Sequence, residues 1–393
     1  MEEHMKITDT IIEPPVYGYK FPQNKEEILF LDIETTGLSP DASSLYMIGV
    51  MYFDTAAGSW HIKQFFADNY KSEAEILLAF LNILGNYNYL YHFNGKTFDI
   101  PYILNKFRKY NIKPDMHCSR IFNNTDTEYS IDILALIRPL KKLLSIKKAT
   151  QTALEQWLGI TRENKYNGEQ LIPIYSQYMQ YKFIAPSKAT QLEKLLLLHN
   201  HDDIKHMLNI CSILSYYGLF QDTCNITITG IKPGTGSYIN IIYSHNITIP
   251  KNISITKQYP ASKEKTIQIQ DMKLELSSKH AILSVPLFYG NLKYFYPDYK
   301  NYYFIETEDT AVHKSLIHSS CKNYKKASVS TCYTKKEGLF IPSMETWQSG
   351  HDNIRFYITY HDKLCFYILP DGTADINNPF WNYFVKRQLI LLL

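Results

Sequence analysis

The first 220 residues alternate between strand-like and helix-like patterns, and this order constrains the fold more than any other feature. Apolar runs and helical spacing are each bounded by polar breaks. The predicted elements are strands over 28–33, 45–53 and 61–66, a helix over 72–84, a strand over 87–93, a helix over 99–110, a strand over 129–134, and then helices as far as residue 217. Three consecutive strands indicate a meander, and the later alternation indicates an α/β unit.

Beyond residue 222 the apolar period changes to two, which predicts a strand-rich α+β region. Within it we expect a helix over about 309–321 and a hairpin formed by 354–360 and 364–369. A chain of 393 residues suits two or three domains. The predicted organisation is an N-terminal arm over 1–26, a first domain over 27–220 and an accessory domain over 221–393.

Composition excludes several classes of protein. The net charge of +3 is too small to indicate nucleic-acid binding by bulk charge, so any site for a polyanion has to be local. The six cysteines form no C-x-x-C pair, which argues against a zinc ribbon or a redox dithiol and predicts reduced, buried thiols. No apolar run is long enough for a signal-peptide core or a membrane span, so we expect a cytoplasmic protein without a membrane role.

Two carboxylates stand at the end of the first apolar strand. Asp32 and Glu34 are separated by one residue, and side chains at i and i+2 of a strand point to one face. Converging carboxylates suit hard divalent cations such as Mg²⁺ or Mn²⁺, which prefer oxygen ligands. The alternative is a solvated strand edge, and the strand context and the following Thr-Thr-Gly-Leu favour the metal site.

Two further motifs carry acidic residues. The segment from Asn94 to Asp99 lies between a strand and a helix, where Asp99 either contributes to a site or only caps the helix. His199 and Asp203 lie at i and i+4 in a leucine-rich helix and therefore share a face. A plain polar interruption of an exposed face is the alternative there, and His201 and Asp202 fit that alternative.

Together these residues resemble the DEDD superfamily of 3′-to-5′ exonucleases, which has a ribonuclease-H-like fold, and within it the YprB-like proteins. The likeness covers about residues 27–220 and implies a mixed five-stranded sheet with flanking helices. YprB-like features are the motif ending at Asp99, the segments around Asp132 and Arg138, and the Leu-Gly-Ile-Thr-Arg stretch that ends at Arg162. One departure is that His199 occupies the position of a tyrosine, whereas the histidine subclass would place its histidine at Leu198.

The resemblance implies a two-metal hydrolysis of phosphodiester bonds with Mg²⁺ or Mn²⁺ at the 3′ end of single-stranded DNA or RNA. It implies that Asp32, Glu34, Asp99 and Asp203 are the metal ligands, with Asp32 shared by both ions, and that His199 is the general base. It further implies that the substrate-binding residues are Thr35, Thr36 and Leu38, at the terminal nucleotide, and Asn94 and Lys96, at phosphate. Two alternatives are a non-catalytic nucleic-acid-binding protein on the same fold and a structure-specific endonuclease.

The region beyond residue 221 carries a second, weaker pattern. Tyrosines are dense between residues 289 and 304, and lysines follow between 314 and 336. Rings and cations together suit single-stranded nucleic acid, whereas a tyrosine-rich core with a solvated lysine face explains the same residues equally well.

Overall fold

A computed structural model describes residues 5–122, 128–221, 223–260, 267–317, 323–344, 354–360, 362–370 and 375–392. The chain divides into two compact units, Met1–Tyr216 and Tyr217–Leu393. Among the described residues, no helix has both the length and the apolar composition needed to cross a membrane.

The first unit is built on a mixed sheet. Its strands are β1 (Met5–Ile11), β2 (Ile28–Thr35), β3 (Leu45–Asp54), β4 (Ser59–Ala67), β5 (Tyr89–His92) and β6 (Ser130–Asp132). The order across the sheet is β1-β4-β3-β2-β5-β6. The pairs from β1 to β2 are antiparallel, while β2, β5 and β6 run parallel, so the carboxyl ends of these three strands meet at one edge.

Helices flank this sheet, as the sequence predicts. They are α1 (Glu73–Leu84), α2 (Asp99–Lys109), α3 (Met116–Ile121), α4 (Ile133–Ile137), α5 (Leu140–Leu143), α6 (Gln151–Leu158), α7 (Gly168–Ile184) and α8 (Pro186–Cys211). Pro139 separates α4 from α5, because proline lacks the N–H that a continuous helix needs. Helix α8 packs against β2, β3 and β4 and against α6 and α7.

The N-terminal arm contributes more than we predicted. Residues Met5–Ile11 pair with β4 over its length, from Met5 opposite Ala67 to Ile11 opposite His61. The described sheet therefore has six strands where the sequence predicts five. This pairing covers the edge of β4, which would otherwise expose unpaired backbone groups.

The second unit is strand-rich, in agreement with the prediction. Its strands are β7 (Ile226–Pro233), β8 (Tyr238–His245), β9 (Ile253–Lys257), β10 (Met272–Leu276), β11 (His280–Pro286), β12 (Phe288–Phe295), β13 (Tyr302–Ile305), β14 (Thr310–His313), β15 (Tyr324–Lys326), β16 (Tyr333–Met344), β17 (Arg355–Phe356) and β18 (Leu364–Ile368). Within the described ranges they form sheets in the orders β7-β8-β11-β10-β9, β12-β16-β18-β17 and β14-β13-β15. The chain ends in α9 (Pro379–Ile390).

The helix predicted over 309–321 is wrong in most of its described part, since only Lys314–Leu316 form a single turn of 3-10 helix there. Thr310–His313 is a strand that pairs with β13, with Ala311 opposite Phe304. Asp309 does not cap a helix, since its φ of 49° places it in the turn that joins the two strands. Residues 318–322, including Cys321, lie outside the described residues. Pairing with a neighbouring strand overrides a local pattern of this kind.

Candidate active site

Three elements that are distant in sequence bring four carboxylates together. Asp32 and Glu34 lie on one face of β2, and the register of β2 against β3 shifts immediately after Glu34. Asp99 is the first residue of α2, and the backbone N–H groups of Asp99 and Ile33 oppose the rise that burial causes in the pKa of its carboxyl. Asp203 lies on α8, which packs against β2. The parallel pairing of β2 with β5 places the first three carboxylates at one edge of the sheet.

Burial and mutual repulsion make this cluster electrostatically unfavourable on its own. Burial and the charges of Asp203, Glu34 and Asp99 raise the pKa of Asp32 well above its ordinary value. Burial and the charges of Asp203 and Asp99 do the same to the pKa of Glu34. Burial is also the main cause that raises the pKa of Asp99 to about 7. Carboxylates in this state require protons or cations, so the donor set fits hard divalent ions.

His199 lies between two of these carboxylates. Its Nε2 is 3.2 Å from Oδ2 of Asp203 and 3.6 Å from Oε1 of Glu34. Its Nδ1 is 3.2 Å from Oδ1 of Asn164, which also accepts the N–H of Tyr166 at 2.8 Å. Because this oxygen accepts from Tyr166, the proton in the contact with His199 lies on Nδ1, and the lone pair of Nε2 faces the carboxylates.

This geometry allows His199 to act as a base or as a metal ligand. Burial lowers the pKa of His199, which favours the neutral ring that either role requires. Ligand atoms of Glu34, His199 and Asp203 all lie within 4.8 Å of one another, so the three residues can share one metal ion.

Asp203 is held by an ion-pair network that our sequence reasoning did not assign. Nη1 of Arg162 is 2.6 Å from Oδ1 of Asp203, and Nη2 of Arg162 donates to Oε1 of Glu155 at 2.7 Å. Burial would raise the pKa of Glu155, but the hydrogen bonds from Arg162 and the nearby ring of His206, whose Nδ1 is 3.5 Å from Oε1, outweigh it and hold that pKa at about 2. Burial also raises the pKa of Asp203, while the charges of His199 and Arg162 oppose the rise. The resemblance included Arg162, but nothing in the sequence paired it with Asp203.

Asn200 is a second residue that the sequence analysis missed. It is fully buried; its Nδ2 donates to Oδ2 of Asp32 at 2.8 Å, and its Oδ1 accepts from Nε2 of Gln64 at 2.9 Å. Gly49 lies opposite Asp32 in the β2–β3 pairing, and its missing side chain gives Asn200 room. A buried amide inside a leucine-rich helix is the one sequence signal that points to this role.

Asp202 is not the solvated residue that we expected. Its side chain is buried, and Oδ2 accepts the backbone N–H groups of Glu163 at 3.1 Å and Asn164 at 2.9 Å. The expectation failed because a long-range loop after α6 covers this part of α8. Asp202 therefore holds the segment that carries Arg162 and Asn164 against the acidic cluster.

The predicted contacts to the terminal nucleotide lie at the end of β2 and in the loop that follows it. Oγ1 of Thr35 donates to the carbonyl oxygen of Gly37 at 2.9 Å, and Oγ1 of Thr36 accepts the N–H of Ser44 at 2.8 Å. Leu38 is 80% exposed. Both threonine hydroxyls thus shape the loop, whereas Leu38 presents an apolar side chain to solvent.

Asn94 and Lys96 lie in the loop that leads to α2. Asn94 has a φ of 62°, and its N–H donates to Oδ1 of Asp132 at 3.0 Å. The same carboxylate caps α4 by accepting the N–H of Leu134 at 3.0 Å. Lys96 is partly exposed. Asp132 therefore positions the loop before Asp99.

The tyrosine-rich part of the second unit packs mainly against itself. Phe295 and Tyr333 belong to a buried cluster, and the rings of Tyr296 and Tyr302 stack at 4.5 Å. Lys335 forms an ion pair with an aspartate of its own unit. These contacts favour the interpretation of this region as a core with a solvated lysine face.

The match to one protein family agrees with the fold. Residues 29–215 match the family model of the RNase_H superfamily. No curated protein matches the chain. Together with the mixed sheet, the family match gives the first unit a ribonuclease-H-like fold, followed by the strand-rich region; the YprB-like subfamily stays a prediction.

Solved structures similar to this chain include a DNA polymerase and exonuclease I. The family B DNA polymerase of the hyperthermophilic archaeon Pyrobaculum calidifontis has 14% identity and a TM-score of 0.31, over 55% of this chain and 34% of the polymerase. The zinc-bound complex of E. coli exonuclease I with single-stranded DNA has 13% identity and a TM-score of 0.28, over 55% and 54% of the two chains. Ligand-free exonuclease I has 15% identity and a TM-score of 0.27, over 56% of each chain. The matches thus cover between a third and just over half of these proteins.

Proposed function

We propose that this protein is a metal-dependent 3′-5′ exonuclease that hydrolyses single-stranded nucleic acid. The observation that carries the proposal is the convergence of Asp32, Glu34, Asp99 and Asp203 in one buried cluster whose pKa values are raised. The match of residues 29–215 to the RNase_H superfamily supports it.

The four carboxylates would hold two divalent cations, Mg²⁺ or Mn²⁺. When bound, such ions stabilise the charge on the attacking and leaving oxygens of an in-line displacement. Asp32 would contribute to both positions, with its Oδ2 oriented by the amide of Asn200. Arg162 binds Oδ1 of Asp203, which leaves Oδ2 directed toward His199.

His199 would take the proton of the attacking water at Nε2. Asn164 fixes the ring through Nδ1, so that the lone pair of Nε2 faces the cluster. General-base assistance is typically worth ~10² to 10⁴-fold in rate, whereas loss of a shared metal ligand removes the charge stabilisation altogether. We therefore expect Asp32→Ala to lose more activity than His199→Ala. An equal loss would identify His199 as a metal ligand instead.

The test is degradation of 5′-labelled single-stranded DNA and the matching RNA with Mn²⁺ or EDTA. Wild type, Asp32→Ala and the control Asp54→Ala, at the end of β3, are compared in parallel. A ladder that shortens from the 3′ end with Mn²⁺ in wild type and control, and is absent in Asp32→Ala, supports the proposal. Cleavage of circular single strands would instead indicate an endonuclease.

One observation favours a second candidate, a non-catalytic nucleic-acid-binding protein. Asp203 already forms an ion pair with Arg162 at 2.6 Å, and His199 lies at its other oxygen. A permanent ion pair of this kind weakens the pull of Asp203 on a metal ion. Binding of both oligonucleotides without cleavage in any metal would support this candidate.

A further inference from the structure

A short basic segment, residues 138–148, concentrates positive charge in the first unit. It holds five of the chain's 41 Lys and Arg residues and none of its 38 Asp and Glu residues. The cations are Arg138, Lys141, Lys142, Lys147 and Lys148. Because the whole chain carries only +3, the charge outside the basic segment is net negative. This is the local cationic site that bulk composition cannot reveal.

The local fold gathers these cations on one surface. Leu140 and Ile146 are buried and anchor the basic segment to the first unit. Ser145 has a φ of 53°, and the N–H of Ile146 donates to the carbonyl oxygen of Lys141 at 2.9 Å. This left-handed residue ends α5 and turns the chain back, so that Lys147 lies near Lys141.

The result is an open cationic cavity of about 520 Å³. It is lined by Arg138, Lys141, Lys142, Ser145, Ile146 and Lys147. In the part of the chain that the structure describes, none of the five cations of the basic segment forms an ion pair, whereas the buried Lys106 pairs with Glu73 at 2.8 Å. Closely spaced, unpaired cations suit an extended polyanion, because binding it releases counterions at several contacts together.

The basic segment is also structurally connected to the acidic cluster. Helix α4 leads from Asp132 to Arg138, six residues, which is ~9 Å at 1.5 Å per residue. The carboxylate of Asp132 accepts the N–H of Asn94, in the loop that ends at Asp99. Consecutive nucleotides of one strand are spaced by ~3.4 Å or more. The length of ~9 Å from Asp132 to Arg138 therefore corresponds to about three nucleotides or fewer.

We propose that the basic segment binds the phosphate backbone of the nucleic-acid strand whose end reaches the acidic cluster. This inference rests on the proposed function, and it adds the surface that holds the strand behind the reacting end. The connection through Asp132 favours nucleic acid over the other phosphate-bearing polyanion, an acidic lipid surface.

The test measures binding separately from cleavage. The full-length Asp32→Ala protein is titrated in EDTA with a fluorescein-labelled 20-nucleotide single strand, by anisotropy, at several KCl concentrations. The patch variant adds Lys141→Gln, Lys142→Gln and Lys147→Gln. The matched control instead adds Lys71→Gln, Lys113→Gln and Lys194→Gln, three exposed lysines of the same unit with the same change of charge.

For single strands, log affinity falls with log salt by ~0.7 per neutralised phosphate, so three lost contacts flatten the slope by ~2. We expect this change, and at least a ~10-fold lower affinity in 0.1 M KCl, in the patch variant alone. Equal slopes and affinities in the two variants would overturn the proposal, as would absence of binding by their Asp32→Ala parent. If the patch variant loses binding to phosphatidylserine vesicles but binds the oligonucleotide as its parent does, the basic segment is a lipid-binding surface. This result would also overturn the proposal. If the patch variant loses oligonucleotide binding while wild type cleaves no oligonucleotide, the binding surface is supported and the exonuclease proposal is refuted.

Discussion

Replacing Asp99 by asparagine should stabilise the metal-free protein while it removes the proposed activity. Asp99 is buried, and burial raises the pKa of its carboxyl to about 7, against the opposing effect of two backbone N–H donors. An asparagine has nearly the same shape and keeps an oxygen that accepts those N–H groups. It carries no charge, so the repulsion from Asp203 and Asp132 disappears.

The magnitude follows from the difference between the folded and unfolded states. The ordinary pKa of an aspartate is 3.8, so holding Asp99 ionised in the fold costs up to ~4 kcal/mol above pH 7. Below pH ~4 both states bind the proton and the cost is absent. Between these values the unfolded state releases its proton first, so the stability of wild type falls as pH rises.

Scanning calorimetry of the full chain in EDTA between pH 4 and pH 8 tests this. A parallel scan with Mn²⁺ in place of EDTA identifies the unfolding transition of the first unit, because the acidic cluster lies in that unit. At ~2–4 °C per kcal/mol, Asp99→Asn should melt several degrees above wild type at pH 8, and the two should converge near pH 4. Asp41→Asn, at an exposed position of the same unit, should follow wild type throughout. A lower melting temperature for Asp99→Asn, or an advantage that does not change with pH, would refute the electrostatic argument.

Three further predictions concern residues that support the cluster. Gly49→Ala should lose ~1–3 kcal/mol and most of the proposed activity, because the added Cβ would lie 2.0 Å from Oδ1 of Asn200. Gly18→Ala, where a Cβ meets nothing within 4 Å, is the control, and a urea midpoint for Gly49→Ala equal to that of Gly18→Ala would contradict this packing. Arg162→Met should lose ~3–5 kcal/mol in urea denaturation, since it leaves Glu155 buried without its partner, and Arg162→Lys should lose less. The stability that Glu155 contributes in wild type is present above pH ~4.5 and is lost as pH falls toward its folded pKa of about 2, so Glu155→Gln should remove that acid dependence.

The catalytic candidates could be predicted because their geometry is local. Asp32 and Glu34 share a face through the two-residue period of a strand, and His199 and Asp203 share a face through the i, i+4 spacing of a helix. The structure groups Asp32, Glu34 and Asp203 with Asp99, and it places His199 beside Glu34 and Asp203.

The same local reasoning failed where pairing between distant segments decides the structure. The short N-terminal arm has no clear period of its own, and it becomes β1 because the edge of β4 accepts it. The sequence pattern after Asp309 predicts a helix, yet the segment pairs with β13 and forms a hairpin. A single sequence does not record which edge is available to such a segment.

The sequence by itself determined the alternation of strands and helices in the first unit, the strand-rich character of the second and the positions of the acidic motifs. These depend on hydrophobic period and residue type, which act over a few residues. Only the tertiary structure decided that Asn200 orients Asp32, 168 residues away, and that Arg162 binds Asp203. Such contacts arise when α8 packs against the sheet at Gly49, and packing between distant segments leaves no periodic trace in the chain.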